Sequence, residues 1–371
     1  MVDMKRLGFI VNPIAGMGGR VGLKGTDGEE ILKLAIRLGA KPVAPERAKQ
    51  MLRELRRLGV QCTLITYPRE MGEFEARECG FDPVVVGEIG DRTSAEDTRR
   101  AAAQMAELGV DLIVFCGGDG TARDVCESVD LKVPVLGVPT GVKMHSAVFA
   151  INPAVAAKVV AEFLAGNLPL REAEVMDVDE EAFREGRLSA RLYGYLLVPY
   201  EPNYIQSAKS PSPQTEDERE NQLAIARYFV ERMEDDVIYI LGPGTTVKAI
   251  ADVLGLPKTL LGVDVLHGRR LLALDVDERR ILSEIEGRRS VIVVTPIGSQ
   301  GFIFGRGNQQ ISPEVIRRVG RRNIVVVATH YKLSTIPCLR VDTGDPEVDE
   351  LLRGYMRVIT DYGEEKIVRV A

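Results

Sequence analysis

The first 150 residues alternate short apolar runs with amphipathic stretches, a pattern that predicts strands alternating with helices. Residues 7–11 and 111–116 are predicted strands, and the second is apolar without alternation, as expected for a strand covered on both faces. Residues 44–58 carry apolar side chains at helical spacing, and a capping box at Thr93-x-x-Glu96 predicts the start of another helix. This order is typical of a doubly wound parallel sheet, whose ligands bind beyond the carboxyl ends of the strands.

From about Arg171 onward the pattern indicates mostly β structure. Predicted strands cover residues 188–198, 237–241, 271–276, 291–295 and 324–328. The polar, proline-containing stretch 200–221 fits a linker or a mobile active-site loop equally well, and the charged run 216–220 is predicted as the solvated start of a helix. The predicted class is α/β. A doubly wound domain is predicted over residues 1–165, and a β-rich C-terminal domain over 166–371.

Composition narrows the functional classes. The chain has 371 residues, with 48 Lys and Arg against 54 Asp and Glu, and its net charge of −6 argues against sequence-independent binding to nucleic acid or to an anionic membrane. Its five cysteines have no paired spacing, which favours a reducing compartment. No convincing targeting segment is present, so a cytoplasmic location and no stable membrane association are expected.

The sharpest chemical signal is Gly117-Gly118-Asp119-Gly120-Thr121, between a predicted strand and a predicted helix. Glycines in this context let backbone amides approach a polyphosphate. A carboxylate about 5 Å from a phosphate oxygen is repelled by roughly 3 kcal/mol at an effective dielectric constant near 20. Asp119 therefore needs a Mg²⁺ ion or a hydroxyl donor beside it, and a hydroxyl acceptor beside a triphosphate indicates a kinase. The alternative is a tight turn in which Asp119 caps the next helix.

Four other turns follow predicted strands and offer further groups for a nucleotide, although each also fits an ordinary turn. The candidate nucleotide-binding residues in them are Asn12, Pro13, Thr140, Gly141, Lys143, His145, Gly242, Gly244, Thr245, Thr246, Thr295, Gly298, Ser299 and Gln300.

The glycine turn, followed much later by Thr295-Pro296-x-Gly298-Ser299-x-x-Phe302, resembles the pattern of the NAD kinase superfamily. The resemblance is to the archaeal and bacterial branch described as polyphosphate/ATP-dependent NAD kinase-like, and it extends over nearly the full length. It implies a Rossmann-like domain and a β-rich domain with the site between them. It also implies phosphorylation of the 2′-hydroxyl of NAD by ATP or polyphosphate with Mg²⁺ or Mn²⁺. Asp119 would then accept the hydrogen bond of the substrate hydroxyl as base or orienter, and a homo-oligomer would be expected.

Two features depart from the better-known NAD kinases. Those enzymes carry an Asn-Glu pair between the two motifs, whereas here Asn221 is followed by Gln222. The stretch between the motifs is also long, so that residues 201–262 are predicted as an α/β insertion into the C-terminal domain. The start of the chain and Gly117 to Val125 also resemble diacylglycerol and sphingosine kinases. Two alternatives therefore stay open: a kinase for another hydroxyl compound, lipid or polyol, and a nucleotide-binding protein without catalysis.

Overall fold

The chain divides into two compact units. The computed structural model describes residues 4–23, 29–129, 131–140, 144–178, 190–201, 204–205, 215–298 and 300–371. The first unit comprises Met1–Met17 and Gly25–Ala208, and the second comprises Gly18–Lys24 and Lys209–Ala371. The boundary at residue 165 and the insertion at 201–262 stay predictions.

The first unit is built on a parallel sheet with helices on its faces. Its strands are β1 (Arg6–Val11), β2 (Thr63–Thr66), β3 (Val84–Val85), β4 (Leu112–Gly117), β5 (Val135–Pro139), β6 (Leu170–Val178) and β7 (Ala190–Pro199). Its helices are α1 (Glu29–Arg37), α2 (Ala44–Arg57), α3 (Glu73–Glu78), α4 (Ala95–Glu107), α5 (Asp119–Val129) and α6 (Pro153–Leu164), with a 3-10 turn at Arg69–Met71. The five-stranded sheet has the order β3-β2-β1-β4-β5 with every pair parallel, while β6 and β7 form a separate antiparallel pair.

Strand β4 shows why this sheet is central to the first unit. Every residue from Leu112 to Gly117 is buried. Because successive side chains of a strand point to opposite faces, Val114 packs in one core cluster with Leu52 of α2, while Phe115 packs in the other with Met105 of α4. The apolar run without alternation thus has the cause predicted from the sequence, namely helices on both faces.

Helices α4 and α5 begin at other residues than predicted. The capping box of α4 is formed by Ser94 and Asp97 rather than by Thr93 and Glu96, and the Asp97 Oδ2 atom accepts from the Ser94 backbone N–H at 2.8 Å. The sequence offers both registers, and the one observed buries Asp97 while Glu96 stays exposed. Helix α5 begins at Asp119, so the last three residues of the glycine turn belong to its first turn.

The second unit contains a larger mixed sheet. Its strands are β8 (Ile238–Leu241), β9 (Asp264–His267), β10 (Arg270–Ala273), β11 (Ser290–Val294), β12 (Phe302–Phe304), β13 (Ile324–Val327), β14 (Arg340–Val341), β15 (Gly354–Asp361) and β16 (Glu364–Val370). Its helices are α7 (Glu216–Glu231), α8 (Thr245–Leu254), α9 (Glu278–Ile285), α10 (Pro313–Val319), α11 (His330–Ser334) and α12 (Pro346–Leu352), with a 3-10 turn at Arg321–Asn323.

The seven-stranded sheet of the second unit has the order β10-β9-β8-β11-β13-β15-β16. Strands β8, β11, β13 and β15 run parallel, and antiparallel strands lie at both edges. Strands β12 and β14 pair separately. The predicted class, a Rossmann-like α/β domain with a β-rich C-terminal domain, is confirmed. Within the described residues, no helix combines the length and the apolar character needed to cross a bilayer.

Candidate functional site

Asp119 lies where β4 ends and α5 begins. Its Oδ2 atom accepts a hydrogen bond from the backbone N–H of His145 at 2.8 Å, and its Oδ1 atom accepts one from the backbone N–H of Ser146 at 2.9 Å. The carboxylate is thus bound to the segment that follows β5, and only 9% of the side chain is exposed. These bonds argue against the alternative in which Asp119 caps its own helix.

The surroundings of Asp119 keep it ionised. Burial by itself raises the pKa of Asp119, but hydrogen bonding to His145 and Ser146 outweighs burial and holds the pKa below its ordinary value. The ring Nδ1 of His145 also lies 3.4 Å from Oδ2. Because a carboxylate offers about four lone-pair positions, Asp119 can accept another hydrogen bond while both backbone bonds remain.

The segment after β1 is tied to the glycine turn by Asn12. The Asn12 backbone N–H donates to the carbonyl oxygen of Cys116 at 3.0 Å, and its Nδ2 atom donates to the Thr121 hydroxyl at 2.9 Å. A Cβ at Gly117 would lie 2.4 Å from Cβ of Thr121, so a side chain there would displace the threonine. Pro13 follows Asn12 and is partly buried.

The loop after β5 closes on the same turn. The Thr140 backbone N–H donates to the carbonyl oxygen of Gly117 at 3.1 Å. Thr140 is 4% exposed, and its hydroxyl has no hydrogen-bond partner among the described residues. Gly16, which the sequence did not single out as a site residue, has φ +80°, and a Cβ there would lie 2.1 Å from the Thr140 carbonyl oxygen. A buried hydroxyl of this kind, next to a close backbone contact that only glycine allows, is a group to which a ligand can hydrogen-bond.

The carboxyl ends of β1, β4 and β5 therefore gather most of the candidates from the first unit. The residues brought together are Asn12, Pro13, Gly117, Gly118, Asp119, Gly120, Thr121, Thr140 and His145. Gly141 and Lys143 lie outside the described residues. Ser146 was not among the candidates, although it directly follows His145, and its bond to Asp119 makes it part of this group.

A second group of candidates lies in the second unit, where β8 and β11 end. The Gly242 backbone N–H donates to the carbonyl oxygen of Val293 at 2.8 Å, which holds the two strand ends together. Gly244 has φ +114°, and a Cβ there would lie 2.6 Å from Cγ2 of Thr295. The Thr295 hydroxyl has no hydrogen-bond partner among the described residues, although only 5% of the residue is exposed.

The remaining candidates of the second unit lie on the same two loops. Thr245 begins helix α8 and is exposed, while Thr246 is buried. Gly298 has φ +70°, and the side-chain oxygen of Gln300 is buried without a partner among the described residues. Ser299 lies outside the described residues.

Helix α7 contributes polar residues that the sequence did not indicate. The run 216–220 was predicted to be solvated, but Glu218 is only 7% exposed. Its Oε1 atom accepts a hydrogen bond from the Thr329 hydroxyl at 2.8 Å. The other four residues of the run are exposed as predicted. Asn221 is occupied within the fold: its Nδ2 atom donates to the carbonyl oxygen of Thr360 at 2.8 Å, and its Oδ1 atom accepts from the His330 backbone N–H.

The described residues do not build a metal centre by themselves. They contain no group of three or more His, Cys, Asp or Glu side chains that could hold a metal ion. Mg²⁺ is commonly bound by one or two carboxylates together with the phosphates of the substrate and water. The Asp119 carboxylate fits a Mg²⁺ ion that is held mainly by phosphates and water, and does not fit a site made of protein ligands alone.

Glycine amides after one parallel strand, an ionised carboxylate among them and a Thr140 hydroxyl without a partner among the described residues suit phosphoryl transfer to a hydroxyl group. Two family profiles match the chain: the ATP-NAD kinase N-terminal domain over residues 7–168 and the ATP-NAD kinase C-terminal domain over residues 234–370. The chain belongs to the ATP-NAD kinase family. No curated protein and no solved structure matched it significantly.

Proposed function

We propose that the protein transfers the γ-phosphoryl group of ATP, or a phosphoryl group of polyphosphate, to the 2′-hydroxyl of NAD and so forms NADP. The observation that carries the proposal is the ionised Asp119 carboxylate at the end of β4, fixed by two backbone N–H groups while retaining capacity for another donor. Membership of the ATP-NAD kinase family supports the same reaction class.

In this proposal Asp119 orients the acceptor hydroxyl. A carboxylate with a lowered pKa is a weak base near neutral pH. Phosphoryl transfer passes through a loose transition state in most analyses, so it depends on positioning and charge neutralisation more than on early removal of a proton. Asp119 accepts the hydrogen bond of the 2′-hydroxyl, aims its oxygen at the phosphorus atom and receives the proton as the transfer completes.

The other candidates bind the nucleotides. In the first unit these are Asn12, Pro13, Gly117, Gly118, Gly120, Thr121, Thr140, Gly141, Lys143 and His145. In the second unit they are Gly242, Gly244, Thr245, Thr246, Thr295, Gly298, Ser299 and Gln300. The roles of Gly141, Lys143 and Ser299 rest on the sequence alone. The Thr140 and Thr295 hydroxyls support this assignment, because both are buried without a partner in the described part of the chain.

Mg²⁺ or Mn²⁺ bound to the phosphates of the donor would neutralise charge near Asp119. The Asp119 carboxylate would be available to such an ion, and the described residues hold no group of three or more potential ligands that could bind it without the phosphates. A homo-oligomer and a cytoplasmic location remain predictions from the resemblance and the composition.

The direct test is formation of NADP by the purified protein from NAD and ATP with Mg²⁺, repeated with polyphosphate as donor. The expected result is NADP formation by the wild type and its loss in Asp119→Asn. Binding of NAD without turnover under any metal and donor would instead support a nucleotide-binding protein. Turnover of a lipid or polyol hydroxyl, with NAD inert, would support the other alternative, which the missing Asn-Glu pair at Asn221 keeps open.

A further inference from the structure

Ser146 lies between the Asp119 carboxylate and strand β6 and forms a hydrogen bond with each. Its backbone N–H donates to Oδ1 of Asp119 at 2.9 Å, and its Oγ atom accepts from the backbone N–H of Met176 at 2.9 Å. Only 1% of Ser146 is exposed. A single buried residue therefore links the carboxylate at the end of β4 to the antiparallel pair of β6 and β7.

The hydroxyl of Ser146 takes the place of a backbone carbonyl at the outer edge of β6. The neighbouring Ala147 N–H donates to the carbonyl oxygen of Glu174 at 2.8 Å. Glu174 and Met176 are two residues apart on β6, so their backbone groups point to the same side of the strand. A further strand at that edge would offer a carbonyl oxygen to the Met176 N–H. Here a side chain offers the acceptor, because the Ser146 backbone is turned so that its N–H faces Asp119.

The two hydrogen bonds to β6 fix the orientation of the Ser146 backbone. One is donated by the Ala147 N–H, and the other is accepted by the Ser146 side chain. With both in place, the Ser146 N–H is aimed at Oδ1 of Asp119. Without the hydroxyl, only the Ala147 bond remains, and the Met176 N–H loses the acceptor it has among the described residues. The chain would then shift to satisfy that N–H, since an unpaired buried donor is costly.

Other contacts anchor the same segment, so loss of the hydroxyl should act locally. Met144 and Val148 are buried in one core cluster on either side of Ser146. The carbonyl oxygen of Val148 also accepts from the Gly137 backbone N–H at 2.9 Å. These contacts do not involve the Ser146 side chain. A small shift at Asp119 would still matter, because a 1 Å misplacement of a reacting group can cost about 100-fold in rate.

We propose that Ser146 is a positioning residue for phosphoryl transfer. It holds the Asp119 carboxylate in the orientation that receives the hydrogen bond of the acceptor hydroxyl, and it does so by tying the segment after β5 to β6. Ser146 itself contacts neither donor nor acceptor. The inference rests on the proposed function, because Asp119 is the residue that it positions.

The test compares kcat and KM for NADP formation by the full chain in the wild type and three variants of Ser146. Ser146→Ala is expected to lower kcat about tenfold or more while KM for NAD and for ATP changes less than about twofold, because the nucleotide-binding groups stay in place. Ser146→Cys keeps the size of the side chain but accepts weakly, so its kcat should also fall. Ser146→Thr retains the hydroxyl and should have a kcat within about threefold of the wild type.

Ser312→Ala is the matched control. Ser312 is also 1% exposed, and its hydroxyl accepts the backbone N–H of Val315 at 3.3 Å at the start of α10. Both alanine variants remove a buried serine hydroxyl that accepts a backbone N–H, so both should lower Tm in thermal unfolding. Only Ser146→Ala should lower kcat.

Amide hydrogen exchange gives a second readout, which needs no turnover. In Ser146→Ala the protection factors of the backbone N–H groups at positions 145 and 146 should fall about tenfold, because their bonds to Asp119 become weaker. In Ser312→Ala the protection of these two amides should match the wild type.

NADP formation with the same kcat in Ser146→Ala and Ser312→Ala would overturn the inference and leave the proposed function standing, as would a wild-type kcat in Ser146→Cys. A wild type that forms no NADP with any metal or donor would remove the proposed function, and the protection factors would then decide the inference. Their loss at positions 145 and 146 in Ser146→Ala alone supports the tie between β6 and Asp119, and unchanged protection overturns it.

Discussion

Replacement of Asp119 by asparagine separates the structural contribution of this residue from its proposed part in the reaction. The carboxylate accepts from the backbone N–H groups of His145 and Ser146 at 2.8 and 2.9 Å. Asparagine offers one acceptor oxygen and one NH₂ donor, so one of the two backbone N–H groups would face another donor. Charge-assisted bonds contribute about 1.5–3 kcal/mol each, and we expect the free energy of unfolding to fall by about 2–3 kcal/mol. For a unit of this size that corresponds to a fall in Tm of about 5–10 °C.

The same variant should lose turnover at temperatures where it remains folded. Positioned acid–base groups contribute about 100- to 10,000-fold, so kcat for NADP formation is expected to fall at least about 100-fold while the affinity for NAD changes little. Asp124→Asn is the matched control. Asp124 lies on the same helix, is 5% exposed and pairs with Arg99 Nη1 at 2.8 Å, so its loss should lower Tm without lowering kcat. A folded Asp119→Asn protein with a kcat within about threefold of the wild type would refute the proposed role.

Three further predictions concern stability. Burial raises the pKa of Glu75 from its usual 4.5 to about 7, so Glu75 binds a proton more tightly in the folded state. The contribution of Glu75 to the free energy of unfolding should therefore be fully present below about pH 4.5 and fall by about 3 kcal/mol as the pH rises through 7. Glu75→Gln should flatten that profile in urea denaturation from pH 4 to 8, and an unchanged profile would contradict the assignment. Gly16→Ala should destabilise more than Gly59→Ala in thermal unfolding, because both have positive φ but only an added Cβ at Gly16 meets a backbone carbonyl, at 2.1 Å. Asp264→Asn replaces the carboxylate that lies 2.8 Å from the buried Lys258 ammonium by a neutral amide, and should lower the free energy of unfolding in urea by about 3–5 kcal/mol; a loss below about 1 kcal/mol would contradict the reasoning.

The sequence predicted best where local signals and burial agree. Strand β4 and the turn at 117–121 were found because an apolar run ends at glycines before a helical pattern. The start of α7 in the charged run 216–220 was also predicted, and the helix begins at Glu216 after Thr215, whose side chain accepts from the Glu218 backbone N–H. These features depend on residues that are close together in the chain, so a single sequence is enough to predict them.

The sequence predicted less where partners lie far apart along the chain. The partners of Asp119 follow it by 26 and 27 residues, and only the pairing of β4 with β5 brings them to its carboxylate. Glu218 was assigned to a solvated face because its neighbours are charged, but its partner Thr329 is 111 residues away. No local sequence pattern indicates a contact between residues so far apart in the chain, so these hydrogen bonds could be identified only from the fold.

The two backbone bonds accepted by Asp119 have an evolutionary consequence. If Asp119 acts as proposed, selection on position 119 has two sources, because its carboxylate also holds the segment after β5 through hydrogen bonds that need no substrate. A descendant that abandoned phosphoryl transfer would still be under pressure to keep this aspartate. Substitutions should then accumulate first at neighbours whose side chains form no hydrogen bond with the described residues, such as Thr140, whose buried hydroxyl has no partner among them.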